Sequence, residues 1–194
     1  MYLGVKGKLP SFEHHNLLFT EDWKHNFDAI YRDKSVPTPA SLYICKPSAT
    51  DPTVAPKGHE NVFVLVPLPA GIELTEQQAT VLSEDYLDQI ALMTNTPDFK
   101  DRIVTKTIFG PNDFASQYYA WQSTALGPSH LLSQSAFFRT RNKSKKLDNL
   151  YYVGGATVPG IGLPMCLISA ELLYKRLAGN TRGGKISTIE RIGE

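Results

Sequence analysis

The sequence predicts a loop-rich α/β or α+β fold, and three observations carry the prediction. Thirteen prolines and fourteen glycines in 194 residues argue against a helical bundle. Short apolar runs alternate with well-signalled helical stretches. The last third reads strand, glycine loop, helix. With 42% hydrophobic residues, the chain has enough apolar material for one or two packed modules with a real core.

Taken in order, residues 1–8 open as a strand. Thr20 is placed as an N-cap with Glu21 and Asp22 in the first turn, where carboxylates suit the positive helix end. Trp23, Phe27 and Ile30 follow at helical spacing. Prolines at 37, 39, 47, 52 and 56 mark a long irregular excursion around one strand at 41–45. Residues 61–66 form a dense apolar strand, closed by Pro67 and Pro69. Thr75 and Gln78 have capping-box spacing with Leu74 as the staple. The helix they start lines up Ala79, Leu82, Tyr86, Ile90 and Met93 on one face. Residues 101–108 alternate as a strand, and Asn112 or Asp113 caps a short helix with Phe114, Tyr118 and Trp121 on one side.

Leu150-Tyr151-Tyr152-Val153 has the composition of a buried strand, and Gly154-Gly155-Ala156-Thr157 follows at once. Pro164 stands where a helix begins, because its missing N–H costs nothing there. Met165, Ile168, Leu172 and Leu177 keep helical spacing, and Glu171 and Lys175 are placed to pair on the outer side. Gly179-Asn180 stops this helix, and a polar, frayed tail is expected over 181–194.

A net charge of +1 argues against nucleic-acid binding driven by overall charge. Cys45 and Cys166 match no redox or metal spacing, which favours free thiols in a reducing, cytoplasmic compartment. No secretory signal opens the chain. The uncharged stretch 149–170 is broken by four glycines and two prolines, so no membrane span is predicted.

A strand ending in small residues lets a ligand approach the main chain. A helix starting just beyond aims free N–H groups and partial positive charge at the same point. Reduced flavin carries negative charge on one edge, so such a helix start suits it. A glycine-rich connection also serves simply to turn the chain, and no G-x-G-x-x-G follows a strand here. Spacing alone does not separate these readings.

Residues 149–164, Asn149-Leu150-Tyr151-Tyr152-Val153-Gly154-Gly155-Ala156-Thr157-Val158-Pro159-Gly160-Ile161-Gly162-Leu163-Pro164, closely resemble the C-terminal signature of bacterial-type phytoene desaturases. That signature reads approximately N-L-Y-x-V-G-[AG]-x-T-H-P-G-x-G-[IVL]-P. Gln134-Ser135-Ala136-Phe137-Phe138-Arg139-Thr140-Arg141-Asn142 resembles the family's Q-S-A-x-F-R-P-x-N segment. Leu42-Tyr43, Pro47-Ser48-Ala49-Thr50-Asp51-Pro52 and Ala55-Pro56 with Gly58 resemble its L-Y, P-S-x-T-D-P and A-P-x-G elements, and His14-His15-Asn16 its H-H-N element. The blocks run in family order from Tyr2 to Leu177. Val158 departs from a usual histidine and Thr140 from a usual proline.

The resemblance implies an FAD-dependent carotenoid desaturase of the amine-oxidase-like oxidoreductase superfamily. Its fold would be α/β: an α+β sheet of the substrate domain plus the C-terminal strand–loop–helix of an FAD/NAD(P)-binding domain. On that basis residues 1–125 belong mainly to a substrate-binding portion with mixed sheet and helices, and residues 126–180 to the FAD-binding domain. The N-terminal dinucleotide-binding segment is expected to be missing, through truncation or a split gene, so the chain alone should bind FAD weakly or not at all. The expected cofactor surface comprises Gly154, Gly155, Ala156, Thr157, Gly160, Gly162, Leu163, Pro164 and Met165, contacting mainly through backbone, so that Thr157→Ala is mild. The expected substrate is a hydrophobic polyene of carotenoid biosynthesis. Rival readings are a flavin-dependent polyene or retinoid saturase or isomerase, or a non-redox apolar-ligand module.

Other residues attract plainer explanations. Adjacent side chains on an extended chain point apart, so His14-His15 is not expected to bind metal. Arg139, Arg141, Lys143, Lys145 and Lys146 form either a solvated loop or a contact for anionic lipid headgroups at a membrane surface. Phe114, Tyr118, Tyr119 and Trp121 either border a polyene tunnel or pack in a core. Nothing adjacent marks Asp51 or Asp113 as catalytic.

Overall fold

Period-two alternation puts Leu3 and Val5, Leu42 and Ile44, and Val62 and Val64 on one face of their strands, and all six are buried. A computed structural model of the chain describes residues 1–128, 131–135 and 138–186. It separates into two units, Met1–Ser123 and Thr124–Glu194.

In the first unit, β1 (Tyr2–Lys6), β2 (His15–Leu18), β3 (Leu42–Cys45), β4 (His59–Leu65) and β5 (Ile103–Thr107) form one sheet, ordered β2-β3-β4-β1-β5. Every pairing is antiparallel, so the sheet is not mixed. Helix α2 (Glu76–Met93) contributes Leu87 and Ile90 to the core, and Phe12 stacks on Phe99 at 5.4 Å within it. The Thr75/Gln78 capping box is present. The buried face of α2 runs through Ser83, Tyr86, Leu87 and Ile90 rather than to Met93, which is exposed, so the helix is turned about its axis from the expected setting. Its polar groups clip the proline-rich excursion in place. Tyr86 Oη donates to the Pro37 carbonyl at 2.8 Å, and Gln89 bonds both the N–H and the C=O of Ala40.

Two cap assignments need correction. Helix α1 (Trp23–Asp28) is capped by Asp22, which accepts from the His25 amide at 2.9 Å. Thr20 instead bonds the Ser41 hydroxyl. Trp23 and Phe27 point outward, in edge contact with each other, and the helix widens into a π-turn over Ala29–Asp33. Helix α3 (Pro111–Tyr118) has Gly110 at its N-cap. Asp113 reaches back from inside the first turn to accept the Gly110 amide at 2.8 Å. No residue of α3 is buried, so its aromatics are not core. Phe109, Phe114 and Tyr118 cluster, while Trp121 lies past the helix end and is 77% exposed.

The second unit is organised around α4 (Leu163–Leu177). The run 150–153 is not a buried strand: Val153 is 54% exposed, and among the described residues the stretch forms one isolated bridge, Lys143–Tyr151, rather than a ladder. Apolar composition marks a segment able to join a ladder, but it does not supply the neighbouring strands. Helix α4 ends as expected, with Gly179 at positive φ and the Asn180 amide bonding the Lys175 carbonyl at 2.8 Å. The Glu171–Lys175 pair forms at 2.9 Å, but Lys175 is buried rather than outward. The reason lies in residues 181–186, which are not frayed: Lys175 Nζ donates to the Gly184 carbonyl, and the Ile186 amide donates to Glu171 at 2.8 Å. The expected fraying of 187–194 lies outside the described residues. Among the described residues no helix is long and apolar enough to cross a membrane.

Candidate functional site

The glycine segment folds into a turn closed by its own polar groups. The Thr157 amide donates to the Gly154 carbonyl at 3.1 Å, and the Thr157 hydroxyl donates to the same oxygen at 3.0 Å. Thr157 is 3% exposed, so its side chain faces inward. There its hydroxyl meets Ser169 Oγ of α4 at 2.8 Å, and Asn142 Nδ2 donates to both hydroxyls. Asn142 also donates to the Tyr152 carbonyl, and Ser169 Oγ accepts the Gly154 amide at 3.1 Å. Ser169 and Asn142 are both essentially inaccessible to solvent. Thr157→Ala is therefore expected to be costly rather than mild, because it removes the hydroxyl that partners the buried Ser169 Oγ.

Arg139 completes the brace. Its Nε donates to the Thr157 carbonyl at 3.0 Å and its Nη2 to the Gly155 carbonyl, fixing two loop carbonyls with one planar fork. It is 4% exposed and so does not belong to a solvated basic loop; Arg141, Lys145 and Lys146 remain exposed. Ala136 and Phe137, just upstream, lie outside the described residues.

The other side of the segment is open. A methyl group placed on Gly154, Gly160 or Gly162 would meet nothing within 4 Å. Gly154 and Gly162 have φ of 107° and 100°, a region that side chains rarely adopt. Gly155 is closer-packed, with Cys166 Sγ and Ile161 3.7 Å from that position. Ala156 is exposed, and among the described residues the Gly155 and Ala156 amides have no internal acceptor. Gly162 caps α4 without a side-chain bond, Leu163 and Pro164 hold its first turn, and the first helical bond runs from Cys166 to Gly162. Leu163 is 84% exposed, and Met165 is half-buried.

The arrangement thus presents exposed main chain, amides without an acceptor among the described residues, and a helix N-terminus. These features fit the edge of a planar anionic ring system. Sequence reasoning missed Arg139, Asn142 and Ser169 as parts of the site. The first two fall in a matched motif block, but nothing in their spacing tells that they reach back to the glycine turn.

The first unit carries a second feature, on the sheet face opposite the core. Register aligns His15 with Cys45, Leu17 with Tyr43, Tyr43 with Leu65 and Tyr2 with Phe63 on that face. Rings pass the contact along: His15 to Tyr43 at 6.0 Å, Tyr43 to Phe63 at 6.4 Å, and Phe63 to Tyr2 at 5.3 Å. Tyr2, Leu17 and Leu65 are all largely exposed, so this is an uncovered apolar and aromatic surface. Asp51 and Asp113 both serve as caps, Asp51 accepting from Thr53, which holds its carboxyl below the ordinary range.

Comparison with known proteins finds similarity to carotenoid desaturases. It is 44% identical over 171 residues to a carotenoid 3,4-desaturase of Haloarcula japonica, covering 88% of this chain and 34% of that protein. It is 32% identical over 191 residues to a 4,4'-diapophytoene desaturase (4,4'-diaponeurosporene-forming) of Staphylococcus aureus, covering 95% of this chain and 38% of the relative. A 4,4'-diaponeurosporene oxygenase of Staphylococcus haemolyticus is 32% identical over 193 residues, covering 98% of this chain and 38% of the relative. The chain therefore spans little more than a third of the length of these curated relatives. No protein-family model matches it.

Proposed function

The chain belongs to the carotenoid desaturase family, and on that premise we propose that it forms part of an FAD-dependent oxidoreductase that introduces double bonds into a carotenoid-type polyene. The observation that carries this reading is the glycine turn before α4, braced from within by Arg139, Asn142, Thr157 and Ser169 and left open on its other side.

The residues that would hold the flavin are Gly154, Gly155, Ala156, Thr157 through its backbone, Gly160, Gly162, Leu163, Pro164 and Met165. FAD, when bound, supplies the hydride acceptor of the reaction. The chain's own part is positioning. The α4 N-terminus places partial positive charge where negative charge accumulates on reduction, without any ionised side chain in contact. Arg139 holds the Gly155 and Thr157 carbonyls, which fixes the direction of the neighbouring amides. Exposed Leu163 offers an apolar surface at the start of α4.

For the substrate, the aromatic sheet face of Tyr2, Tyr43 and Phe63 is proposed as part of the wall along which the polyene lies. Flat rings in edge and tilted contact suit a flat conjugated chain that offers nothing to hydrogen-bond. Peripheral contact with a membrane through Arg141, Lys145 and Lys146 is the accompanying proposal, since the substrate dissolves in lipid.

The reading is tested by joining the chain to the dinucleotide-binding portion of a desaturase and supplying a colourless polyene in anaerobic liposomes. Desaturation lengthens the chromophore, so a red-shifted product spectrum is expected. Retained flavin with an unchanged polyene would overturn the desaturase reading.

A further inference from the structure

The two adjacent histidines do not diverge. His14 lies one residue before β2, outside the ladder, so the alternation that would separate it from His15 does not apply; their ring centroids are 4.3 Å apart. His15 stands opposite Cys45 in the β2–β3 register. One candidate ligand atom from each of His14, His15 and Cys45 lies within 4.8 Å of the other two.

Each imidazole is also oriented by a hydroxyl. His14 Nδ1 bonds Thr50 Oγ1 at 2.7 Å, and His15 Nδ1 bonds Tyr43 Oη at 2.7 Å. Such partners fix ring orientation in metal sites and sustain ligand basicity. Cys45 is a free, half-buried thiol and His15 is exposed, so an ion has an open approach.

We propose that His14, His15 and Cys45 form a binding site for a soft divalent cation of the zinc class. Two imidazoles and a thiolate are the donor set such ions prefer over carboxylate-seeking magnesium or calcium. Binding replaces the Cys45 S–H bond with a sulfur–metal bond and releases the proton to solvent. Tetrahedral ligands stand roughly 3.5 Å apart, so the three side chains close by about 1 Å, within the rotation open to an exposed imidazole and a cysteine χ1. Three protein ligands leave the fourth position to water. This site is independent of the flavin reading, since it uses none of the same residues.

The test is titration of the chain with Zn2+ against a chromophoric chelator, and with Co2+ as a spectroscopic substitute. One equivalent is expected to bind, with a sulfur-to-cobalt charge-transfer band in the near ultraviolet. Cys45→Ser should abolish that band, and both Cys45→Ser and His15→Ala should weaken Zn2+ binding at least about tenfold. Cys166→Ser and His59→Ala should leave binding as it is. His15 is exposed, so its variant keeps the fold, which circular dichroism checks. Absence of saturable binding, a band that survives Cys45→Ser, or affinity unchanged in His15→Ala would overturn the proposal.

Discussion

The Ser169 hydroxyl, in the middle of α4, accepts the backbone amide of Gly154, fifteen residues upstream, at 3.1 Å. One side chain thus ties the start of the glycine turn to the helix whose N-terminus the turn leads into. Because Ser169 is fully buried and also meets Thr157, Ser169→Ala leaves at least one buried polar group unpaired. The expected cost is about 1–3 kcal/mol, read as a lowered urea midpoint. Thr157→Val should cost a similar amount, and the double variant less than the sum, because both remove the same contact.

Arg139→Lys tests the brace separately. A lysine keeps the charge but has no planar fork, so it can serve only one of the Gly155 and Thr157 carbonyls. A loss of about 1.5–3 kcal/mol is expected, measured by thermal melting. An unchanged melting temperature would show that the charge, not the fork, matters.

The carboxyl of Glu60 sets an acid limit. Burial alone would push its pKa up, but hydrogen bonds from Ser48 and Lys8 and the charge of Lys46 outweigh it and hold the pKa below the ordinary 4.5. A depressed carboxylate stabilises the fold fully above its unfolded value and loses that contribution as pH falls through the folded one. Denaturant midpoints should therefore fall on acidification below about pH 4.5, and Glu60→Gln should flatten that dependence while lowering stability at neutral pH.

The proposed substrate wall and the core face should respond differently to truncation. Ile90→Ala, in a fully buried position, should destabilise by about 2–5 kcal/mol. Tyr2→Ala, on the half-exposed opposite face, should cost much less stability while weakening uptake of a polyene from liposomes. Equal effects on both readouts would argue against a substrate wall.

Much of this was legible in the residues. The strands at 1–8 and 61–66 were readable from their apolar runs, and Thr75 with Gln78 marked the start of α2, because such signals act within a few residues of chain. Errors arose where partners come from afar. The run 150–153 has a strand's composition without a ladder, and Lys175 reads as a surface cation until residues 181–186 fold over it. The brace of Arg139, Asn142 and Ser169 spans 10 to 27 residues between partners, beyond any periodicity. His14 and His15 were judged by strand alternation, which holds only once both residues are in the strand.

Flavin retention by the chain joined to a dinucleotide-binding portion tests the central claim most directly, comparing Gly155→Ala with Gly162→Val. Gly155 has only ordinary contacts at 3.7 Å and no positive φ, so its alanine variant should keep the yellow absorption of bound flavin. At Gly162 the φ of 100° excludes a β-branched residue and the new side chain would stand at the α4 N-terminus, so that absorption should be lost while the fold of the first unit persists. Undiminished flavin in Gly162→Val would contradict the assignment of this helix start to the cofactor.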